Sequence, residues 1–231
     1  IEVVSPVTVN DILKIVDESP CTTYKWKDRS VAPKGYMRGM AMVFARSTCY
    51  PSETTKGVLG DVSKDALVKY SQESNNLNTY TLLLGLGMRE SSGKYCTGRD
   101  ATAGNTESDT CEAGMFQTSY NAHVFSKELD AVFEKYKTNN KCFLEYFSEG
   151  VTCKASDWKY YGTKEPGLTF QKLSKNCPAF ATEFAAIIIR KALGHYGPLK
   201  RKEAEFNPQC KVMLGKVEML VKNNTYLCEQ L

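Results

Sequence analysis

Apolar and polar residues recur at the spacing of amphipathic helices along most of this chain, and strand-like alternation is scarce. Clusters of proline, glycine and asparagine separate the helical stretches. No repeat, low-complexity tract or linker divides the sequence, so the pattern predicts a mainly α fold in a single domain over 1–231. The predicted helices are 9–19, 35–46, 61–70, 79–90, 127–137, 178–193, 199–206 and 208–222.

The helix predicted over 79–90 is the most informative stretch. Its apolar run leads directly into Glu90, which shares a helix face with Leu83 and Leu86. Because that face is apolar, the carboxyl group should lie at the mouth of a core, where desolvation raises its pKa toward that of a general acid at neutral pH. The alternative interpretation is an ordinary helix C-terminus that ends at Ser-Ser-Gly and carries a solvated glutamate.

Two glycines lie inside the same predicted helix. Gly85 and Gly87 each cost about 1 kcal/mol relative to alanine in a helix interior. A helix that keeps both of them indicates that another backbone packs tightly against it, because only a residue without a side chain permits such an approach.

The segment 91–111 has no periodicity and is rich in Gly, Thr, Ser, Asn and Asp. Cys96 and Cys111 bracket most of it, and a disulfide between them would hold a long loop against the end of the Glu90 helix. Long irregular loops in compact domains tend to be functional. We therefore expect this polar loop to take part in the function of the protein.

The composition is that of a folded protein with a large core: 231 residues, 42% hydrophobic and 24% charged. The formal net charge is +4, and the cations are spread along the chain apart from a cluster at 200–202. This distribution is too diffuse for a nucleic-acid arm, and it would suit an anionic polymer such as bacterial cell wall only weakly. The apolar runs are too short for a membrane span.

Nine cysteines are a high number for this length, and they show no CxxC pair and no histidine at metal-ligand spacing. We therefore expect neither a metal nor a cofactor. Cysteines spread singly predict disulfides in an oxidising compartment, with one thiol left over. Cys96–Cys111 and Cys142–Cys153 are the first pairs to expect. An export signal removed before Ile1 would agree with this; the alternative is a cytosolic protein with buried free thiols.

Two segments taken together resemble a known family: G-M-R-E-S-S-G at 87–93 and E-A-G-M-F-Q-T-S-Y-N-A at 112–122. They resemble the lysozyme superfamily, in its branch of goose-type lysozymes and soluble lytic transglycosylases, and the whole chain resembles exported bacterial proteins of that type. The branch carries a Glu-Ser at a helix end, a polar loop and then a Gly-Leu-Met-Gln-like turn. The resemblance implies a lysozyme-like domain with additional helices and a catalytic core at about 62–200.

The resemblance also implies roles for individual residues. Glu90 corresponds to the general acid that protonates the glycosidic oxygen, and Gln117 corresponds to the glutamine of the turn that shapes the sugar-binding cleft. Ser91 matches the serine after the acid, which bonds to the backbone of the turn. The other substrate-binding positions that it implies are Tyr120, Asn121 and Tyr196.

Glycoside cleavage usually needs a second carboxyl group, which acts as nucleophile or as the base that activates water. Thr118 and Ser119 occupy places where goose-type lysozymes carry an aspartate. The loop before the turn offers acids instead, and those beside Cys111 are the better candidates because a disulfide there would fix them near the turn. These are Asp109 and Glu112, ahead of Asp100 and Glu107.

The function that the resemblance implies is an exported glycosidase, periplasmic or secreted, that cleaves β-1,4 linkages in peptidoglycan or a related amino-sugar polymer. Lytic transglycosylases dispense with the second carboxyl group, because the sugar's own 6-hydroxyl closes an anhydro ring. The acids between Glu90 and Gln117 favour a cationic, de-N-acetylated substrate of the kind that chitosanases cleave. The alternative is a non-catalytic, lysozyme-like module that binds cell wall. We expect a monomer whose partner is the polysaccharide.

An aromatic group at Trp158, Tyr160 and Tyr161 would either stack on sugar rings or form a small satellite core. Both interpretations remain open from the sequence. The only histidines, His123 and His195, have no Ser, Cys or Asp partner pattern, so no catalytic triad is predicted.

Overall fold

The long apolar stretches of the sequence form α-helices in the computed structural model of this chain. The structure describes residues 4–51, 75–100, 102–138, 141–191, 198–199 and 201–231. Within them the helices are α1 (Val9–Asp17), α2 (Lys34–Cys49), α3 (Asn76–Ser91), α4 (Lys127–Thr138), α5 (Leu144–Phe147), α6 (Gly167–Asn176), α7 (Pro178–Lys191) and α8 (Pro208–Asn223). The helix predicted at 61–70 and the candidate residue Tyr196 lie outside the described residues.

Helix prediction succeeds where apolar residues recur over several turns. The predicted helices that are confirmed are 9–19, 35–46, 79–90, 127–137, 178–193 and 208–222, which correspond to α1, α2, α3, α4, α7 and α8. Helix α3 begins three residues before its predicted start, because the Asn75 side chain accepts a hydrogen bond from the Asn78 N–H (2.8 Å) and caps it. Over the described ranges the domain is mainly helical without a β-strand, and none of its helices has both the length and the apolar character to cross a membrane.

Two segments differ from the prediction. The described residues of the helix predicted at 199–206 form turns, because the Pro198 carbonyl oxygen accepts hydrogen bonds from the N–H groups of Glu203 (2.7 Å) and Ala204 (3.1 Å) and folds the segment back on itself. Conversely, the sequence does not predict α6, whose polar residues obscure its few apolar positions. Local hydrogen bonding therefore overrides apparent periodicity in short segments.

Helix α2 lies at the centre of the packing. It contacts α1, α3, α5, α7 and α8, and most of its residues are buried. A helix that is apolar on nearly all sides is stable only when other elements surround it. Helix α3 packs against α2, α7 and α8, so its C-terminal end, which carries Glu90, is fixed by three neighbours.

The glycines of α3 mark two close contacts. A Cβ atom at Gly85 would overlap the backbone carbonyl oxygen of Glu205, so the backbone contact predicted for this helix is confirmed there. At Gly87 the neighbour is a side chain: the Tyr36 hydroxyl lies where a Cβ would go and donates a hydrogen bond to the Leu84 carbonyl oxygen (2.8 Å). These contacts fix α3 against α2 and against the segment that precedes α8.

Four disulfides join distant parts of the described chain, and the two pairs expected from the sequence are wrong. The bonds are Cys21–Cys210, Cys49–Cys228, Cys96–Cys153 and Cys142–Cys177, and Cys111 is a buried free thiol. The leftover thiol is confirmed. Pairing follows the packing of helices and loops rather than closeness along the chain, which is why Cys96–Cys111 and Cys142–Cys153 do not form. Four disulfides are compatible with an exported protein.

The loop between Cys96 and Cys111 is held by other means. The Asn105 side-chain amide donates to the Thr110 carbonyl oxygen (2.8 Å), and the Thr110 hydroxyl donates to Asn105 Oδ1 (2.7 Å). Because Cys96 bonds to Cys153, the loop is attached to the segment before α6 and is not closed on itself.

Candidate active site

A cleft of about 420 Å³ opens beside the C-terminal end of α3. Residues of α3, the turn at 112–119, the 3₁₀-helix Tyr120–Phe125, α7 and 198–199 line it. Clefts that bind small molecules or parts of larger substrates have volumes of roughly 300–1,000 Å³. The polar lining residues are Glu90, Glu112, Gln117, Thr118, Ser119 and Asn121.

Helix α3 ends directly after Glu90, because Ser92 (φ 55°) and Gly93 (φ 76°) both adopt the left-handed backbone conformation. The Gly93 N–H donates to the Gly87 carbonyl oxygen (3.2 Å) and closes the last turn. The Ser91 hydroxyl donates to the same carbonyl oxygen (3.0 Å). Ser91 is thus bonded to its own helix, and it is not among the described residues that line the cleft.

A cation holds the same helix end from outside. Arg29 donates through Nε to the Met88 carbonyl oxygen (3.2 Å) and through Nη2 to the Arg89 carbonyl oxygen (2.6 Å). A positive charge is favourable there, because the last carbonyl groups of a helix carry a partial negative charge and lack helical partners. The contact spans about sixty positions of sequence, and no sequence signal identifies Arg29 as the partner.

Glu90 lies half-buried where α3 meets the cleft. Burial is the largest cause of a rise in the pKa of Glu90 to about 7, and repulsion from Glu112 adds to it, whereas Arg201 and Arg89 oppose it. Among the described residues, the Glu90 carboxyl group has neither a hydrogen-bond partner nor an ion-pair partner. Near neutral pH it therefore holds its proton for much of the time, and no acceptor in the described part of the chain competes for that proton.

Glu112 lies in the loop wall of the same cleft. Although the residue keeps an exposed surface, burial raises the pKa of its carboxyl group, and the Asp100 carboxylate raises it further. Glu112 in turn raises the pKa of Glu90. The cleft thus holds two carboxyl groups with raised pKa values, and Glu112 is one cause of the pKa of about 7 at Glu90.

Asp109, the other acid expected from the sequence, is positioned differently. Its Oδ1 accepts a hydrogen bond from the Gly167 N–H (3.0 Å) at the first residue of α6, and its backbone carbonyl oxygen accepts one from the Asn121 N–H (2.8 Å). It is not among the described residues that line the cleft. Asp109 therefore joins the loop to α6, and the cleft contains Glu112 instead.

The turn at Gly114–Gln117 is held by the glutamine itself. Gly114 (φ 80°) and Gln117 (φ 49°) are both left-handed, and the Gln117 Nε2 donates to the carbonyl oxygens of Gly114 (2.8 Å) and Gly98 (3.0 Å). The first bond closes the turn, and the second attaches the turn to the preceding loop. Gln117 also lines the cleft, so the same residue closes the turn and forms part of the cleft wall.

Two neighbours of the turn have different surroundings. Asn121 lines the cleft, and its Oδ1 accepts a hydrogen bond from the Ser119 hydroxyl (2.5 Å). The Tyr120 ring stacks on His123 at 4.4 Å between ring centroids and packs against Phe133. Asn121 is therefore available to a ligand, whereas Tyr120 supports the wall from behind.

An apolar side faces these polar groups. Its residues include Leu86, Phe116, Ile188, Ile189, Leu199, Val124 and Phe125. Val124 and Phe125 are exposed, as are several other large apolar side chains among the described residues. The sequence shows the Ile run of α7 but gives no sign that it lines a cleft, because apolar residues that line a cleft have the same spacing as those of the core.

The described residues contain no group of three or more His, Cys, Asp or Glu side chains that could hold a metal ion. Comparison of the chain with family models, with curated proteins and with solved structures found no match. The chemistry of the cleft therefore has to be inferred from the geometry of its own residues.

Proposed function

We propose that this protein is a glycosidase that cleaves β-1,4 linkages in peptidoglycan or a related amino-sugar polymer, with Glu90 as general acid. One observation carries the proposal: the cleft holds a half-buried glutamate with a pKa of about 7 beside a second carboxyl group and beneath a polar turn. In this proposal the helical domain is lysozyme-like, its catalytic core is at about 62–200, and the protein acts outside the cytoplasm.

The environment of Glu90 suits the first chemical step. A glycosidic oxygen is a poor leaving group until it is protonated, and a carboxyl group with a pKa near the working pH donates most effectively. Apolar neighbours such as Leu86 and Ile189 help keep the proton on the carboxyl group by limiting its solvation. Because α3 ends at the next residue, the acid is fixed at the cleft edge rather than within the helix.

Glu112 is the best candidate for the second carboxyl group. As an anion it would stabilise the positive charge that develops on the sugar ring, and it would either attack the anomeric carbon or activate water. Asp109 is less suited, because the Gly167 N–H already occupies one of its oxygens. If the sugar's 6-hydroxyl performs the attack instead, Glu112 retains the electrostatic role alone.

The substrate is a sugar chain with hydrogen-bonding groups on one side. Gln117, Ser119 and Asn121 offer amide and hydroxyl groups to it. Glu112 in its ionised form, with Asp100 near it, would also attract a cationic amine. A de-N-acetylated amino sugar is therefore the favoured substrate within the class, and equal cleavage rates on fully acetylated and deacetylated wall would contradict that choice.

Replacing Glu90 by glutamine tests the reaction. We expect Glu90→Gln to reduce the rate of cell-wall lysis by about 10²–10⁴-fold, because the amide cannot donate the required proton. Wild-type activity should fall as pH rises through about 7, where the acid loses its proton. Glu107→Gln, which changes an exposed acid of the same loop, is the matched control and should lyse as the wild type does.

The mass of the products then separates the two reaction types. A hydrolase leaves a reducing end, whereas a lytic transglycosylase leaves an anhydro sugar that lacks one water. If wild type and Glu90→Gln lyse wall at the same rate, the glycosidase proposal is wrong. Binding of wall without any lysis would then favour the non-catalytic module.

A further inference from the structure

Two segments, 94–100 and 154–176, form one strongly basic unit. Together they carry seven lysine or arginine residues against three carboxylates, an excess as large as the formal net charge of +4 for the whole chain. The Cys96–Cys153 disulfide and an edge contact between Tyr95 and Trp158 (6.2 Å between ring centroids) join them. Cations that look diffuse along the sequence are therefore concentrated in space.

The carboxylates of this unit are already engaged. Asp157 accepts from Lys94 Nζ (2.5 Å) and from the Lys154 N–H (2.6 Å), and these contacts help lower its pKa despite partial burial. Hydrogen bonds from Thr102 to Asp100 and from Thr169 to Glu165 lower the pKa of those acids too. The acids thus remain charged, and each accepts hydrogen bonds from a nearby residue, although Asp100 and Glu165 are themselves exposed.

The exposed cations lack such partners. We call Arg99, Lys154, Lys159, Lys164 and Lys172 the basic platform. Its four lysines are exposed, and among the described residues none of them forms an ion pair. Carboxylates of the unit act on Arg99, Lys154 and Lys172 only at longer range, and the unit keeps an excess of cations, which attracts anions.

Two tyrosines fix cations of the platform. The Arg99 guanidinium lies 4.2 Å from the Tyr161 ring centroid, and Lys159 Nζ lies 5.1 Å from the same centroid. Lys172 Nζ lies 6.0 Å from the Tyr160 ring centroid. Such contacts hold the charged groups in place without neutralising them, so the platform loses less side-chain entropy when a ligand binds.

The backbone beneath the platform is also anchored. Gln171 of α6 accepts a hydrogen bond from the Tyr161 N–H (2.9 Å) and donates one to the Tyr161 carbonyl oxygen (2.8 Å). The buried Lys175 ammonium donates to the carbonyl oxygens of Asp157 (2.6 Å) and Lys159 (2.9 Å). Lys175 therefore stabilises the backbone beneath the platform, whereas the four platform lysines are exposed to solvent.

The platform continues the wall of the cleft. The Gln117 side chain, which lines the cleft, donates to the carbonyl oxygen of Gly98, the residue before Arg99. Asp100, on the other side of Arg99, lies near enough to Glu112 to raise its pKa. A linear polymer that occupies the cleft therefore has the platform beside it.

We propose that the basic platform binds anionic groups, carboxylate or phosphate, of a glycan chain that extends beyond the cleft. This inference rests on the proposed glycosidase function for the identity of the polymer as a glycan. A nucleic acid is the less suitable polyanion, because the single-stranded binders stack bases on free aromatic rings and here cations already lie over Tyr160 and Tyr161.

Binding is best measured on Glu90→Gln protein, so that cleavage plays no part in the result. The probes are polygalacturonate as a carboxylate glycan, a sugar-phosphate polymer as a phosphate glycan, uncharged dextran and single-stranded DNA. In the Glu90→Gln background, Lys159→Gln, Lys164→Gln and Lys172→Gln together should weaken binding of the anionic glycans by at least about tenfold and reduce its salt dependence. The matched control removes three cations elsewhere, through Lys25→Gln, Lys211→Gln and Lys216→Gln, and should change affinity by less than about twofold.

Each result decides the question. The comparison of polygalacturonate with the sugar-phosphate polymer shows which anion the platform prefers. Equal losses in the two triple variants would show an effect of net charge alone and overturn the proposal, as would a parent protein that binds neither anionic glycan or binds dextran equally well. DNA binding that is tighter and more sensitive to the platform variant would replace the glycan with a nucleic acid. If the protein binds anionic glycans but the wild type lyses no wall, anion binding by the platform is supported and only the glycosidase proposal is wrong.

Discussion

The two walls of the cleft are built on different physical principles. The helical wall, from α3 and α7, consists of buried apolar segments that are fixed by close packing, including the contact of Gly85 with the Glu205 backbone. The loop wall, at 112–125, consists of irregular backbone that is fixed by side-chain hydrogen bonds such as those of Gln117. The first wall supplies the acid, and the second supplies most of the polar groups around it.

This difference gives each wall its own chemical environment. Packing against α7 and α2 removes water from the end of α3, which is why burial is the largest cause of the raised pKa of Glu90. The loop wall leaves polar groups such as Asn121 accessible, because its hydrogen bonds are made to backbone further inside. A proton donor and a sugar-binding surface can thus lie side by side although they need opposite degrees of solvation.

The largest effect should come from breaking the helical wall. Gly85→Ala places a methyl group where the Glu205 carbonyl oxygen lies, and backbone cannot move aside as a flexible side chain can. We expect a loss of about 3 kcal/mol in the free energy of unfolding, measured by urea denaturation.

The matched control for that change lies in another helix. Gly215, inside α8, has no atom beyond its chain neighbours and its own helix backbone within 4 Å of its would-be Cβ, so Gly215→Ala should stabilise the protein by about 0.5–1 kcal/mol through helix propensity. The two substitutions are chemically identical and are expected to have opposite signs. If Gly85→Ala is as well tolerated as Gly215→Ala, close packing does not fix the helical wall.

A smaller effect should come from loosening the loop wall. Gln117→Ala removes the two hydrogen bonds to the Gly98 and Gly114 carbonyl oxygens and should cost about 1–3 kcal/mol. Hydrogen exchange should show faster opening of the loop and turn, while the amides of α3 and α7 keep their protection.

A second substitution at Gln117 separates the effect of the lost hydrogen bonds from the effect of backbone strain. Gln117→Gly loses the same side chain but accepts the positive φ of 49° without strain, so it should be more stable than Gln117→Ala. Gln209→Ala, at an exposed position of α8, is the control for loss of a glutamine side chain. Uniform acceleration of exchange in both walls of Gln117→Ala would contradict the view that the walls are held independently.

The two walls also differ in how far the sequence predicts them. The apolar spacing over 79–90 predicts α3, the inward face of Glu90 and the tight contact at Gly85, because those features depend on neighbours along the helix. The loop that precedes and supports the loop wall depends on partners far away in sequence, such as Cys153 for Cys96 and Gly167 for Asp109. No local pattern encodes such pairs, which is why the predicted disulfides are wrong.

The candidate site divides in the same way. Glu90, Gln117 and Asn121 line the cleft, and each lies in one of the two short segments that carry the family resemblance. Choosing between Asp109 and Glu112 required the structure, because both flank Cys111 and only the fold shows which of them turns toward the cleft. The sequence also does not show the basic platform, because its cations come from two separate segments that a disulfide joins.

The smallest expected effect concerns the electrostatic interaction between the two walls, which is the repulsion between Glu112 and Glu90. Glu112→Gln keeps the shape of the loop wall but removes a negative charge that raises the pKa of Glu90. That pKa should fall toward its ordinary value, so the alkaline limb of the pH–activity profile should move from about 7 to lower pH.

The sign of this shift is fixed by electrostatics, because removing an anion makes ionisation of a neighbouring acid easier. Its size should be smaller than the effect of burial, which is the larger cause of the raised pKa and which the substitution leaves intact. Carbon-13 NMR titration of the Glu90 carboxyl group checks the shift without relying on activity, with Glu107→Gln as the control that should leave it unchanged. An alkaline limb that stays in place or moves upward would mean that the loop wall does not set the proton affinity of the acid, and the pKa of Glu90 would then be a property of the helical wall alone.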